Sequence, residues 1–211
     1  MKKIPFSDRY GLTQAVIDLI KTNTRRAERS LDVLPLYYNP LITEFLFEYK
    51  DGIVIGRRFF KGSHVETYHL KPRYKVGEVV AVSQRYKDAI NPLDWVNIKI
   101  YKNSPGWTNK MFVRADLMPH RIRITDIKVE RLQDISEEDC MKEGIMEGEF
   151  MNTWDTFYFD MWGDVPNHIT FKTPHAAFAS LIDHINGNGT WERNPWVYAY
   201  SFELVKKEEK V

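Results

Sequence analysis

The chain has 211 residues, with 30 Lys and Arg, 29 Asp and Glu, and one cysteine. Hydrophobic residues make up 43% of it, which is enough for a hydrophobic core and excludes a disordered or fibrous protein. One cysteine cannot form an intramolecular disulfide, and no apolar run approaches the roughly 18 residues that a membrane span needs. We therefore expect a soluble cytoplasmic protein with no membrane partner.

Charge is distributed unevenly along the chain. Residues 1–75 contain 14 Lys and Arg and 8 Asp and Glu, a net charge of +6. The remaining residues contain 16 and 21, a net charge of −5, and the two parts give the total of +1. A basic first third can attract phosphate groups despite that small total, although scattered solvated charges would give the same count.

The predicted elements begin with a short amphipathic helix over residues 12–20. Its apolar residues follow helical spacing: Leu12, Ala15, Val16, Leu19 and Ile20. Residues 41–60 predict a β-hairpin, because Asp51 and Gly52 separate two runs of strand-forming residues.

Three further strands are predicted in the middle of the chain. Residues 74–86 contain a turn at Val76 and Gly77 and then a valine-rich strand, and residues 95–101 alternate at period two. Residues 121–132 also alternate, but the parity of their apolar residues changes: Ile122 and Ile124, then Ile127 and Val129. A bulge near Thr125 and Asp126 would reconcile the two halves of this strand.

The last third of the chain predicts two helices and a strand. Ser136 and Gly144 are typical of the start and the stop of a short helix over residues 137–143. Residues 146–172 predict a long loop or insertion. Capping by Thr173, with a proline next and a buried stripe that includes Ile185, predicts a helix that stops at the Asn-Gly pair of 186–187. Residues 196–205 predict a final strand. These elements indicate an α+β protein.

Four segments together resemble the ASCH-domain proteins, and more narrowly their prophage and bacterial branch: IKTNTRR, YKVGEVVAV, RIRITDIKVERLQDISEEDCMKEGI and FASLIDHINGNGTWERNPWVYAYSFELV. The resemblance implies a PUA-like β-barrel with short helices at its rim, and association with RNA. It implies one domain over residues 1–205, with insertions at about 33–73 and 146–172. Residues 206–211 are expected to be a flexible tail.

The chain also resembles, more distantly, the small amidohydrolases that deacetylate 4-acetylcytidine. That resemblance implies that Lys21, Thr24 and Glu143 form the catalytic group. Thr24 would be the nucleophile or would orient a water, and Glu143 would be the acid or proton shuttle. Lys21 can act as the base only when it is neutral, so its pKa would have to be lowered by burial or by the neighbouring arginines.

Other candidate binding residues surround this group or lie on the predicted hairpin. If residues 22–26 are extended, Thr22 and Arg26 lie on the face of Thr24, whereas Arg25 lies on the other face. Arg26 then faces a ligand phosphate or base edge, and Arg25 is expected to pair at the surface. Arg57 and Arg58 lie beside two phenylalanines, a pattern that suits single-stranded nucleic acid but also an ordinary strand.

The sequence leaves three functions open. The first is a domain that recognises RNA or a modified nucleoside, the second is an amidohydrolase that acts on an acylated cytidine, and the third is a prophage accessory protein that binds another protein. The six histidines show no metal-ligand spacing with a carboxylate or thiol, so no metal site and no cofactor are expected.

Overall fold

The computed structural model describes residues 1–35, 40–62, 64–150, 153–159 and 170–205, with backbone alone at 149–150 and 153–155. It is an α+β structure. The strands are β1 (Lys3–Ile4), β2 (Asn23–Arg26), β3 (Ile42–Lys50), β4 (Ile53–Phe60), β5 (Val65–Leu70), β6 (Val79–Val82), β7 (Arg121–Arg131), β8 (Met146–Phe150), β9 (Thr153–Tyr158) and β10 (Trp196–Leu204). The helices are α1 (Leu12–Ile17), α2 (Tyr86–Ala89), α3 (Trp95–Tyr101), α4 (Glu137–Lys142), α5 (Pro174–Asn186) and α6 (Thr190–Arg193). Short 3-10 helices cover Arg29–Leu31, Pro105–Trp107, Lys110–Phe112, Ala115–Leu117 and Leu132–Asp134.

A five-stranded sheet, in the order β1-β6-β7-β10-β2, forms the centre of the molecule. β1 and β6 are parallel, and the other neighbours are antiparallel. β10 lies between β7 and β2, and its Tyr198, Tyr200 and Phe202 are buried in the main core. β2 is therefore an edge strand of this sheet, joined to it through β10.

The predicted bulge in β7 is confirmed. Ser201 pairs with Asp126 and Phe202 pairs with Ile124, so Thr125 is the extra residue on the β7 side. The bulge shifts the parity of the strand, and the four apolar residues on its two sides are all buried: Ile122, Ile124, Ile127 and Val129. The change of parity among the apolar residues therefore predicts the position of the bulge.

Two smaller sheets accompany the central one. The predicted hairpin is confirmed as β3 and β4, which with β5 form a three-stranded sheet. Its Phe45 and Phe47 pack on Trp196, with ring centroids 5.1 and 5.3 Å apart. β8 and β9 pair as a hairpin, so the prediction of a loop over 146–172 is wrong for that part; residues 160–169 lie outside the described residues. In the described part of the chain the strands form three separate sheets and do not close into one barrel.

The predicted strand at 95–101 is wrong, because these residues form helix α3. Asp94 caps the helix: its carboxylate accepts hydrogen bonds from the backbone N–H and the side-chain amide of Asn97, at 3.1 and 2.7 Å. No residue of α3 is buried. The alternating pattern therefore has no core face to impose a strand, and the local cap decides the conformation.

Of the three predicted helices, α4 is confirmed, α1 is shorter than predicted, and one residue of α5 that was predicted to be buried is exposed. α1 ends at Ile17, three residues before the predicted end. Leu19 has a φ of 63° and is 62% exposed, and Ile20 is 44% exposed. α5 begins as predicted, with the Thr173 hydroxyl accepting from the N–H of Ala176, but Ile185 is 39% exposed. The tail at 206–211 lies outside the described residues.

Candidate functional site

Strand β2 places the basic segment beside β10. Thr24 pairs with Tyr200 and Arg26 with Tyr198, so Thr24 and Arg26 share one face of the strand, as the alternation predicts. Just before the strand, the Thr22 N–H donates to the carbonyl of Lys142, at 2.9 Å. This bond links the start of β2 to the C-terminal end of α4.

The turn after α4 brings Glu143 to the basic segment. Ser136 caps the helix by accepting from the N–H of Asp139, and Glu143 is its C-terminal cap. Gly144 follows with a φ of +100°, in the region that favours glycine. A Cβ at Gly144 would lie 3.1 Å from Leu12 Cδ2 and 3.8 Å from Lys21 Cβ, so the turn packs directly on α1 and on the lysine.

Lys21 and Glu143 form a buried ion pair. The Lys21 ammonium donates to Glu143 Oε2 at 2.5 Å and to the Glu143 carbonyl at 2.7 Å. Their side chains are only 2% and 5% exposed. Thus the structure places together the two residues that the sequence separates by most of the chain. Both line a cavity that Thr24 also lines.

Arg25 is hydrogen-bonded to three carboxylates and is buried, so the predicted surface position is wrong. Its guanidinium donates to Glu130 Oε1 at 2.7 Å, to Asp139 Oδ2 at 2.9 Å and to Glu143 Oε1 at 3.1 Å. Its side chain is 0% exposed. The burial arises because α4 and β7 cover the outer face of β2 with acidic groups. Glu143 is consequently held by Lys21 through one oxygen and by Arg25 through the other.

These contacts shift the acid–base properties of the two cations in opposite directions. Burial lowers the pKa of Lys21, and Arg26 and Arg25 act in the same direction, while the charge of Glu143 partly opposes them. Burial also acts to lower the pKa of Arg25, but the charges of Glu143 and Glu130 outweigh it and that pKa is raised. Arg25 is therefore a fixed charge, whereas Lys21 is moved toward the neutral form that a base requires.

The cavity has a volume of about 430 Å³, within the range of roughly 300–1,000 Å³ for small-molecule sites. Besides the basic segment and Glu143, its lining includes apolar residues from α5, β10 and the 3-10 helix after β7: Leu132, Phe178, Leu181, Ile182 and Val197. Such a lining combines an apolar contact surface with a few fixed polar groups. This combination is typical of small-molecule and cofactor sites.

Arg26 also lines the cavity, but its contacts differ from those of Arg25. It donates from Nη2 to the carbonyl of Pro5 at 2.6 Å and lies 5.6 Å from the ring centroid of Phe6. Its Nε is buried and has no hydrogen-bond partner among the residues that the structure describes. Burial lowers the pKa of this guanidinium. Thr22 is half-buried and is not part of the cavity lining.

Arg57 and Arg58 lie on β4, in the three-stranded sheet, and neither lines the cavity. Arg58 pairs with Glu66 and lies over the rings of Phe60 and Tyr68, 4.7 and 5.6 Å from their centroids. Arg57 is 3.6 Å from a carboxylate oxygen of Glu48. The structure therefore does not place these two predicted residues with the others.

Sequence reasoning missed Glu130, Asp139 and Phe6. Glu130 lies on the face of β7 opposite its buried residues, a position that predicts a solvent-exposed side chain. Asp139 is one of several acidic residues in α4, and the sequence does not distinguish it from the others. Phe6 lies outside any predicted element. Its ring is 5.9 Å from the Lys21 ammonium and packs 5.7 Å from Phe202. The acidic residues around Cys140 are the sequence signal of a carboxylate cluster, and Cys140 itself is fully buried.

No protein-family model, no curated protein and no solved structure matches the chain. Among the residues that the structure describes, no group of His, Cys, Asp and Glu could hold a metal ion. In the same residues, no helix is both long enough and apolar enough to cross a membrane.

Proposed function

We propose that the chain is an ASCH-type, PUA-like domain whose cavity recognises RNA or a modified nucleoside. The observation that carries this proposal is the buried pair of Lys21 and Glu143 in the lining of the cavity. An ammonium donates hydrogen bonds, a carboxylate accepts them and the Thr24 hydroxyl can do both. Together these groups can read the edge of a nucleobase, while the apolar lining contacts its face.

The same geometry supports a second function, hydrolysis of the acyl group of a 4-acetylcytidine-like nucleoside. Lys21 has a lowered pKa, contacts Glu143 at 2.5 Å and shares the cavity with Thr24. Neutral Lys21 would take a proton from Thr24 or from a water that Thr24 orients. The oxygen would then attack the acyl carbon, and the amine would leave with a proton supplied through the Lys21–Glu143 pair. If that oxygen belongs to Thr24, the acyl group stays on it as an ester, and a water would then hydrolyse the ester to release acetate and restore the hydroxyl.

The test is titration of the protein with cytidine and with 4-acetylcytidine, followed by calorimetry and by chromatography of the products. We expect binding of at least one nucleoside, and a loss of binding in Lys21→Met, which leaves the Glu143 carboxylate without its ammonium. Lys87→Met is the matched control, because Lys87 is an exposed lysine on α2, away from the cavity.

The products separate the two functions. Release of cytidine and acetate by the wild type, reduced by roughly 10²-fold or more in Lys21→Met, would establish the hydrolase. Binding without any release would leave recognition alone. If neither nucleoside binds and the protein also shows no salt-dependent binding to RNA, the proposed function is wrong.

A further inference from the structure

Arg26 differs from the other two cations of the cavity because no carboxylate neutralises it. Lys21 is paired with Glu143, and Arg25 is paired with three acidic residues. Within the described residues, Arg26 has no carboxylate oxygen within 4.0 Å, and the one acceptor recorded for it is the Pro5 carbonyl. The cavity thus contains a guanidinium without a direct ion pair to a described residue, although the charge of Glu143 acts on it from a greater distance.

A guanidinium with a buried donor that lacks a partner is costly for the protein. Arginine keeps its proton under all ordinary conditions, so this group cannot escape the cost by becoming neutral. One of its donors, Nε, is buried and has no acceptor in the described part of the chain. A buried donor that lacks a partner in the free protein points to an acceptor that comes with a ligand.

The surroundings of Arg26 favour an anion over a neutral acceptor. Of the charged neighbours that act on Arg26, Glu143 favours its charged form and Arg73, a further cation, disfavours it. Exposed Arg193 also lines the cavity; its Nη2 donates to the Thr190 hydroxyl at 2.8 Å, and no ion pair of Arg193 is recorded among the described residues. A phosphate can accept from the Nε and Nη groups of one arginine at the same time, which makes it a suitable partner.

We propose that the cavity binds a phosphate-bearing nucleotide, with the phosphate on the Arg26 guanidinium and the base beside the Lys21–Glu143 pair. This inference rests on the proposed recognition of a nucleoside and adds the phosphate to it. Lys21 and Arg26 lie over the same Phe6 ring, at 5.9 and 5.6 Å from its centroid, so the two cations are within one nucleotide's reach of each other. The phosphate comes from a mononucleotide or from the end of an RNA strand.

The experiment is calorimetric titration with cytidine, its 5′- and 3′-monophosphates and inorganic phosphate. We expect at least one monophosphate to bind about tenfold or more tightly than cytidine, since a charge-assisted bidentate contact is added. Arg26→Met should remove that difference, so that the monophosphates bind this variant no more tightly than cytidine does. Arg26→Lys should restore only part of it, because an ammonium cannot form the bidentate contact.

Arg121→Met is the control, because Arg121 is an exposed arginine on β7 that is not part of the cavity lining. Equal affinity of wild type for cytidine and for both monophosphates would overturn the inference and leave nucleoside recognition standing. Binding of inorganic phosphate that is lost in Arg26→Met, with no binding of cytidine, would support the anion site and remove the nucleoside proposal.

A short RNA with and without a terminal phosphate distinguishes the two sources. Tighter binding of the phosphorylated strand than of the mononucleotide, again dependent on Arg26, would assign the site to the end of RNA. A preference for the mononucleotide would assign it to the free nucleotide. If no phosphate-bearing probe binds more tightly than its unphosphorylated counterpart, the inference is wrong.

Discussion

Arg25 and Arg26 are neighbours of the same type, and their environments are opposite. Arg25 donates hydrogen bonds to Glu130, Asp139 and Glu143, whereas the contacts of Arg26 are a carbonyl and an aromatic ring. Buried ion pairs add little net stability, but they fix geometry, and removal of one partner costs about 3–5 kcal/mol. Arg25 thus holds Glu143 in position, and Arg26 remains available to a ligand.

At the residue scale, we expect Glu143→Gln to lower the pKa of Lys21 further. The Glu143 carboxylate is the main group that opposes the effect of burial, so its loss favours neutral Lys21 at lower pH. Because the pKa is lower in the folded than in the unfolded chain, stability rises with pH between these two values. In Glu143→Gln that rise should begin at lower pH.

The measurement is an NMR titration of the Lys21 Cε signal, together with chemical denaturation over the same pH range. Glu138→Gln is the control, because Glu138 pairs with exposed Lys142 and is 79% exposed. An unchanged or raised Lys21 pKa in Glu143→Gln would show that the carboxylate does not support the charged form of the lysine.

At this scale the sequence predicts which faces of β2 the side chains occupy, but it does not predict their partners. Alternation alone separates Thr24 and Arg26 from Arg25. The partners of Arg25 come from β7 and α4, more than 100 positions away, and no periodicity encodes such a contact. The same limitation explains why a surface position was expected for Arg25.

At the element scale, the sequence predicts a helix or strand correctly where a capping residue or a buried face specifies it. Ser136, Gly144 and Thr173 mark the ends of α4 and α5 correctly, because capping depends on neighbouring atoms. The bulge in β7 is predictable because both halves of the strand are buried on one face. The alternating apolar residues of α3 predict a strand, but α3 has no buried face that would stabilise one, and the cap at Asp94 favours the helix.

We expect Gly144→Ala to destabilise the protein by about 1–3 kcal/mol, because a Cβ is strained at a φ of +100° and would also crowd Leu12. Gly187→Ala is the matched control: its φ is +95°, it also ends a helix, and a Cβ there would meet no atom within 4 Å. Urea denaturation of both variants separates strain from packing. A Gly144→Ala loss no larger than that of Gly187→Ala would show that contact with Leu12 is unimportant.

At the scale of the whole molecule, the three-stranded sheet packs on the central sheet through Trp196. This side chain contacts Phe45 and Phe47 and donates from Nε1 to the Pro35 carbonyl at 2.8 Å. The hairpin itself was predictable from its turn. Its docking on β10 was not, because nothing in residues 41–60 indicates which distant aromatic residue covers their phenylalanines.

We expect Trp196→Ala to cost about 3–5 kcal/mol, as is typical when a large buried aromatic side chain is removed. Amide exchange should increase most in β3, β4 and β5, which lose their contact surface. The matched control is Trp95→Ala, because Trp95 is 74% exposed and should change stability by no more than about 0.5 kcal/mol. Equal exchange increases in all strands would show that the smaller sheet does not open independently.

The position of β10 in the chain has a consequence for how the molecule forms during synthesis. β2 is made early, yet its strand partner is the last described strand to leave the ribosome. Most of the chain separates them, which corresponds to a delay on the order of ten seconds or more at ordinary rates of translation. During that interval β2 has an unpaired edge. The acidic residues of β7 and α4 emerge before β10, so they can contact Arg25 first. Ion pairs between Arg25 and these residues would then keep β2 in position until β10 pairs with it.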